Sequence, residues 1–368
     1  AALNYQGSDI HLCLPKISDF SKVGQGTDIS VEVQDLDICP RYSGVTISGL
    51  KVGKSPLWIL KRLQSIGVKS INNVVYVTNY ILHETGHPLH AFDVSSIKGN
   101  KIIVRKSSSK SKFITLDDTE REMSKEDIMI CNESDPMCIA GVLGGVGSGV
   151  SEDTVEIFLE SACFNQISIR KTSKRHGLNT DASFRFERGC DPNMTTYALK
   201  RAALLICDVA GGKISSDITD VYPSKINHSH VTMRYQKLDD IVGIKIDRGV
   251  IKSILNDLEI EIVRSAKDSL ELKVPPFRVD VRREIDVVEE ILRIYGFNNV
   301  PVPLKLNTSI INTGQEVDSE SVINNISTVL SSNGFLEIMN NSITRSDYCT
   351  LIDDLDESNN IIIINPLS

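Results

Sequence analysis

INNVVYVTNYILHETGHPLHAFD, residues 71–93, packs Thr78, Asn79, His83, Glu84, His87, His90 and Asp93 into sixteen positions and holds three of the chain's seven histidines. Its residues 83–87 spell HExxH. That motif binds zinc when a helix sets two histidines one turn apart on one face, with the glutamate beside a metal-bound water. Here Gly86 lies inside the motif and Pro88 follows it. Proline disfavours the α conformation at the residue before it, which is His87. Glycine within the turn costs about 1 kcal/mol relative to alanine. The β-branched run upstream reads as a strand or extended segment. A helix spanning both histidines is therefore not expected. A zinc hydrolase at His83 and His87 stays as an alternative that metal analysis decides.

Outward from this stretch, the chain has 368 residues, enough for two or three domains. Its hydrophobic content of 41% is that of a globular protein. No run approaches the roughly 20 apolar residues of a membrane span. The chain opens AALNYQG, without Met or a signal peptide, and its eight cysteines are scattered with no CxxC pair. They read as reduced cytosolic thiols, most of them packing residues. Net charge is −8, whereas a free-standing RNA binder is usually basic. If RNA is the substrate, other domains or another subunit supply most of the phosphate contacts.

Punctuation divides the chain. Residues 1–37 read as a connector with short strands. Ser55-Pro56 opens a helix with Leu57, Leu60 and Leu63 on its apolar face, and Gly67 ends it. Short strands are expected at 101–105, 112–116, 127–131 and 155–160, and a helix from about 191 to 210. Residues 223–230 look like a linker. A small unit at 231–303 has helices around 250–258 and 286–295. A third unit begins near Leu304, with a helix carrying Val322, Ile323, Ile326, Val329 and Leu330. The glycine-rich run 141–149 lacks the Gly-Lys-Ser/Thr of a phosphate loop and opens no helix, so it reads as a tight turn. Its glycines would still let main chain approach a ligand closely.

The string VTNY…HPLHAFD resembles the B3/B4 region of the phenylalanyl-tRNA synthetase β-subunit family. Four further blocks match that family in order: CPRYSGVTISGL (39–50), IAGVLGG (139–145), FLESACF (158–164) and RHGLNTDASFRFERGCDP (175–192). PPFRVDVRREIDVVEEILRIYGFNNVP (275–301) resembles the end of the family's B5 domain. The resemblance implies an α+β, multi-domain fold: a connector at 1–37, a mixed-sheet B3/B4 editing domain at 38–223, a small winged-helix-like B5 domain at 229–304, and the truncated start of a catalytic-like α+β domain at 305–368. The chain then looks like a fragment of a longer subunit, cut at both ends.

The same resemblance implies a proofreading pocket that hydrolyses tRNA(Phe) wrongly charged with tyrosine. Cleaving that ester needs an oriented water, donors for the developing oxyanion, and a pocket admitting one extra hydroxyl. By resemblance Thr78, Asn79, His90 and Thr180 are the catalytic group. Glu160, Ala140, Gly141 and Ala182 bind the substrate, with Glu160 accepting from the tyrosine phenol. Lys69 stands where several family members carry arginine, and would meet tRNA phosphate without bidentate geometry. Each residue also has a plainer reading. Thr78 and Asn79 suit strand-end hydrogen bonding, His90 a structural imidazole, and Glu160 a half-buried acid on the side of Phe158. Arg175, His176, Arg185 and Arg188 are offset by Asp181 and Glu187, as on an ion-paired surface.

Asp280, Asp286, Glu289 and Glu290 form a second constellation of hard oxygen ligands suited to Mg²⁺. The resemblance assigns them to magnesium shared with an α subunit. The helix dipole alone also favours acids in a first turn, so both readings stay open. The resemblance further implies an α2β2 assembly with that subunit, tRNA(Phe) as partner, and ATP used by the whole enzyme but not bound here. It implies a cytoplasmic location with no membrane and no DNA partner. A structural, tRNA-docking subunit with an inactive pocket is the alternative function.

Overall fold

The computed structural model describes residues 1–8, 10–69, 71–302, 318–345, 347–348, 358 and 361–363. The chain divides into two compact units, Ala1–Pro301 and Val302–Ser368. The boundary expected at 304/305 lies outside the described residues.

The first unit is built around a long central strand. β10 (Glu156–Cys163) pairs antiparallel on one side with β2 (Arg41–Ser48) and on the other with β3 (Leu89–Asp93). Beyond β2 lie the short strands β11 (Lys213–Ile214) and β12 (Thr219–Val221). Seven of the eight β10 residues are buried, because both faces of this sheet are covered. Ile157 and Leu159 point into one apolar cluster, while Phe158 and Ala162 point into another. This is the period-two alternation of a strand used on both sides.

The Leu159 face packs on three helices: α2 (Leu57–Gln64), α3 (Asn73–Thr85) and α6 (Met194–Ala210). The Phe158 face packs on a second sheet. There β1 (Ser30–Val33) pairs parallel with β4 (Lys101–Lys106), followed antiparallel by β7 (Ile128–Cys131), β8 (Pro136–Ile139) and β9 (Leu143–Gly144). A two-stranded ribbon, β5 (Lys112–Ile114) with β6 (Glu120–Glu122), flanks it. Two helices, α4 (Gln166–His176) and α5 (Asp181–Phe186), complete this layer, with Ile169 and Phe186 in its core. β1 comes from the segment read as a connector, and it carries Val31 and Val33 against the core.

Three local readings are corrected. Residues 73–85 are a helix, not an extended segment. Their β-branched residues hid a helical face at Val74, Val77 and Ile81, and burial of that face overrides β propensity. Asn72 caps the helix by accepting from Val75 N at 2.9 Å, and Gly86 ends it in the left-handed region at φ +76°. Pro56, not Ser55, stands at the N-cap of α2, with no side-chain cap. Leu57 faces solvent, and Ile59 and Leu63 carry the buried side.

Residues 229–295 form their own core. β13 (Ser229–Arg234), β15 (Ser269–Val274) and β14 (Glu261–Ser265) make a three-stranded antiparallel sheet in that spatial order. Helices α7 (Tyr235–Val242), α8 (Arg248–Asp257) and α9 (Glu284–Tyr295) pack on it through Leu238, Ile251, Ile254, Val287 and Ile291. The chain's first helix, α1 (Ala2–Tyr5), docks here as well: Asn4 donates to Asp257 at 3.4 Å, and the Tyr5 and Tyr295 rings lie 6.0 Å apart. In the second unit, α10 (Ser319–Ser332) starts at an Asp318 cap.

Candidate functional site

Register brings the leading residues together. Glu160 lies directly opposite His90 on β3 and Gly44 on β2. Directly paired residues share a sheet face, so all three look toward the second sheet. Tyr42, two residues from Gly44, shares that face and is fully buried. Gly44 leaves room for the Phe158 ring, which occupies the space where a Cβ would stand.

Glu160, His90 and Tyr42 bring polar atoms to this face, which farther along also carries Thr46 and the hydrogen-bonded Ser48 and Glu156. Glu160 is 4% exposed, and burial pushes its carboxyl up to about 8. The Tyr42 hydroxyl works against this shift, yet no hydrogen bond of ordinary geometry joins them, and Tyr42 Oη and Glu160 Oε2 are both unpartnered. His90 packs edge-on to Phe92 with ring centroids 4.5 Å apart. Burial pushes it down to about 4, so it is neutral, and its Nε2 is unpartnered. Each unpaired buried polar atom costs about 1–3 kcal/mol. Three such atoms lie on one buried face.

The loop after β8 closes over this face. Gly141 sits at φ +67°, and a Cβ there would stand 2.9–3.0 Å from Phe186, Ile169 and Phe164. Conformation and space both require glycine. Ala140 N and Val142 N bond to Ile128 O and Ile139 O at 2.9 and 3.0 Å. Thr180 caps α5 by accepting from Ser183 N, and its hydroxyl donates to Val142 O at 2.9 Å. That bond ties the start of α5, with Ala182 behind it, to the same loop.

Other expected residues stand apart. Thr78 and Asn79 lie on α3, whose apolar side packs on the opposite face of the central sheet. The Thr78 hydroxyl donates to Val75 O at 2.8 Å, and among the described residues no hydrogen bond links Thr78 or Asn79 to Glu160 or His90. Lys69 is exposed in the α2–α3 connection. Sequence reasoning passed over Tyr42 and Gly44, and weighed His87 only as a zinc ligand. His87 is buried with both ring nitrogens unpartnered, and burial, then Arg41, pushes it down to about 4. All three stood inside matched blocks, but only strand register shows what Tyr42 and Gly44 face.

The HExxH motif is split. His83 lies on α3 beside Arg185, while His87 lies past the Gly86 stop. Glu84 is paired with Arg201 at 3.0 Å. The four acids expected to hold magnesium do not form a cage either. Asp286 accepts from the main chain of Arg282 and Arg283, and the Arg283 guanidinium holds it down to about 2. Glu290 lies between Arg293 and Arg278, at 2.8 and 2.7 Å. Among the described residues no three His, Cys, Asp or Glu side chains gather as metal ligands. The basic stretch near 175–188 is ion-paired as expected: Arg175 to Asp127, Arg185 to Asp181, Arg188 to Glu187.

Comparison with known proteins matches residues 38–211 to the B3/4 domain and residues 231–297 to the tRNA synthetase B5 domain. The phenylalanine–tRNA ligase beta subunits of Bacteroides thetaiotaomicron and Bacteroides fragilis are each 46% identical over 368 residues, covering 100% of this chain. That of Porphyromonas gingivalis is 43% identical over 372 residues. The chain spans 45% of the length of each of these relatives.

Proposed function

The chain belongs to the phenylalanine–tRNA ligase beta subunit family, and from that premise we propose that its B3/4 part hydrolyses tRNA(Phe) mischarged with tyrosine. The observation that carries this reading is the Glu160–His90 register pair, with its unpartnered polar atoms on one buried face. At neutral pH Glu160 is a carboxylic acid. It can therefore both donate to and accept from a phenol. Phenylalanine would leave it unpaired, so the correct product is disfavoured.

Neutral His90 offers Nε2 to a water and takes up its proton as the oxygen adds to the ester carbonyl. The tetrahedral intermediate then expels the ribose oxygen, which recovers the proton, and releases tyrosine and uncharged tRNA. Ala140 N and Val142 N are already bonded within the chain. Gly141 N–H is the main-chain donor left for the oxyanion, on a loop held by Thr180. Ala182 shapes the pocket wall. Thr78 and Asn79 would join only when the layers open, and Lys69 would meet tRNA phosphate from outside.

The remaining assignments belong to the complete enzyme. These are charging of tRNA(Phe) with phenylalanine, ATP and Mg²⁺, the α subunit in an α2β2 assembly, and a cytoplasmic location. Among the described residues no helix is long and apolar enough to cross a membrane. We assign domains at 38–223 and 229–304. The acids of 280–290 do not fit a magnesium cage as they stand, and no step is routed through it.

The test compares Tyr-tRNA(Phe) and Phe-tRNA(Phe) hydrolysis by the complete α/β enzyme, wild type against Glu160→Ala. The variant should lose tyrosine preference by about 1–3 kcal/mol in relative kcat/KM. An unchanged ratio removes the recognition role. No hydrolysis by the wild type favours a docking subunit with an inactive pocket.

A further inference from the structure

Charge is unevenly distributed in this acidic chain. The 46 residues from 38 to 83 contain no aspartate or glutamate, but contain Arg41, Lys51, Lys54, Lys61, Arg62 and Lys69. Arg41 is turned inward onto Asp220 at 2.7 Å. The other five are exposed, and among the described residues none of them makes an ion pair. Elsewhere several arginines are matched with acids, among them Arg121, Arg201, Arg248 and Arg278.

The same surface presents aromatic rings. On α2, Ile59 and Leu63 face the core, so Trp58, Lys61, Arg62 and Ser65 share the solvent side. Trp58, the chain's one tryptophan, is 42% exposed. It meets Tyr80 of α3 edge-on, with centroids 5.4 Å apart. The Arg62 guanidinium lies 5.7 Å from the Trp58 ring and donates to the Tyr80 hydroxyl at 2.9 Å. The indole is thus held in place by two neighbours, with part of its surface open to solvent and unpaired cations around it. A positive surface with a fixed aromatic platform suits single-stranded nucleic acid, since every base has a π face and every linkage a phosphate. A purely apolar partner would leave Lys54, Lys61, Arg62 and Lys69 unmatched.

We propose that this face of α2 and the α2–α3 connection binds a single-stranded RNA end, stacking an unpaired base on Trp58 and meeting its phosphates with Lys54, Lys61, Arg62 and Lys69. The proposal rests on the tRNA reading above only for the identity of the polyanion. It makes Trp58 a binding residue, not a catalytic one.

The test uses the complete α/β enzyme and a single-stranded RNA carrying a photoreactive 4-thiouridine at its 3′ end, alongside Tyr-tRNA(Phe) hydrolysis. The crosslinked peptide should contain Trp58. Trp58→Ala should raise the KM for hydrolysis roughly five- to a hundredfold with kcat held, and Trp58→Phe should restore most of it. Arg62→Glu, on the solvent side of α2, should also raise KM and flatten the salt dependence of binding, independently of any folding fault in the alanine variant. Crosslinks confined to other surfaces, or an unchanged KM in both variants, would overturn the proposal. Loss of the α subunit from the Trp58→Ala enzyme would overturn it too, in favour of a protein interface. A wild type that crosslinks through Trp58 but hydrolyses nothing would sink the proofreading reading and leave this face standing.

Discussion

Glu160→Gln separates the proton on Glu160 from the shape of its side chain. Buried Glu160 titrates at about 8 against an ordinary 4.5, so the folded protein keeps a proton that the unfolded chain releases. The stability this contributes is complete below pH 4.5 and is lost as pH rises through 8. His87 and His90 act in the opposite sense. Their folded values near 4 lie below an ordinary 6.5, so they cost stability only as pH falls from 6.5 through 4. Of the three, Glu160 alone acts between pH 6.5 and 8. At ~1.4 kcal/mol per pH unit per proton, the wild type should lose about 2 kcal/mol across that window. Glutamine keeps the volume and the hydrogen-bonding atoms but cannot ionise, so the variant should lose almost nothing there. Urea unfolding at the two ends of the window, followed by the fluorescence of Trp58, reads the unit that contains Glu160. Wild type and variant losing stability in parallel would refute the reasoning, because Glu160 would then already be ionised in the folded state.

Two other substitutions examine the same face. Tyr42→Phe removes a buried, unpartnered hydroxyl, so stability at pH 6 should be unchanged or up to about 1 kcal/mol higher. The alkaline loss should also begin at a higher pH, because Tyr42 lowers the Glu160 value; a profile that does not move would show that the two groups do not interact. Gly44→Ala places a methyl inside the Phe158 ring, which should lower stability by about 1–3 kcal/mol on thermal melting. An unchanged melt would mean that the ring moves aside freely.

The sequence carried the family blocks, the central strand and most helix ends, because glycines and caps mark them locally. Helix α3 was misread because its composition favours strand, while its helical face at Val74, Val77 and Ile81 becomes decisive only once a sheet covers it. The site was half legible. Glu160 and His90 could be named from their blocks, but their pairing joins strands far apart in the chain. Gly44 and Tyr42 have meaning only through that pairing. The acids of 280–290 were named from their spacing and from the resemblance, neither of which takes account of Arg278, Arg283 and Arg293 interleaved with them. Those cations already neutralise Asp286 and Glu290.

The docking of α1 on the 229–295 core makes the first unit a closed loop. One covalent strap, residues 222–228, leads from the central sheet into β13. A second leads back from α1 through residues 6–29 to β1 in the sheet beneath Glu160. The two cores also touch directly, with Val279 standing against Gly189, so the straps join bodies already in contact. Prising off α1 would open that loop and leave residues 222–228 as the one connection along the chain between the two cores.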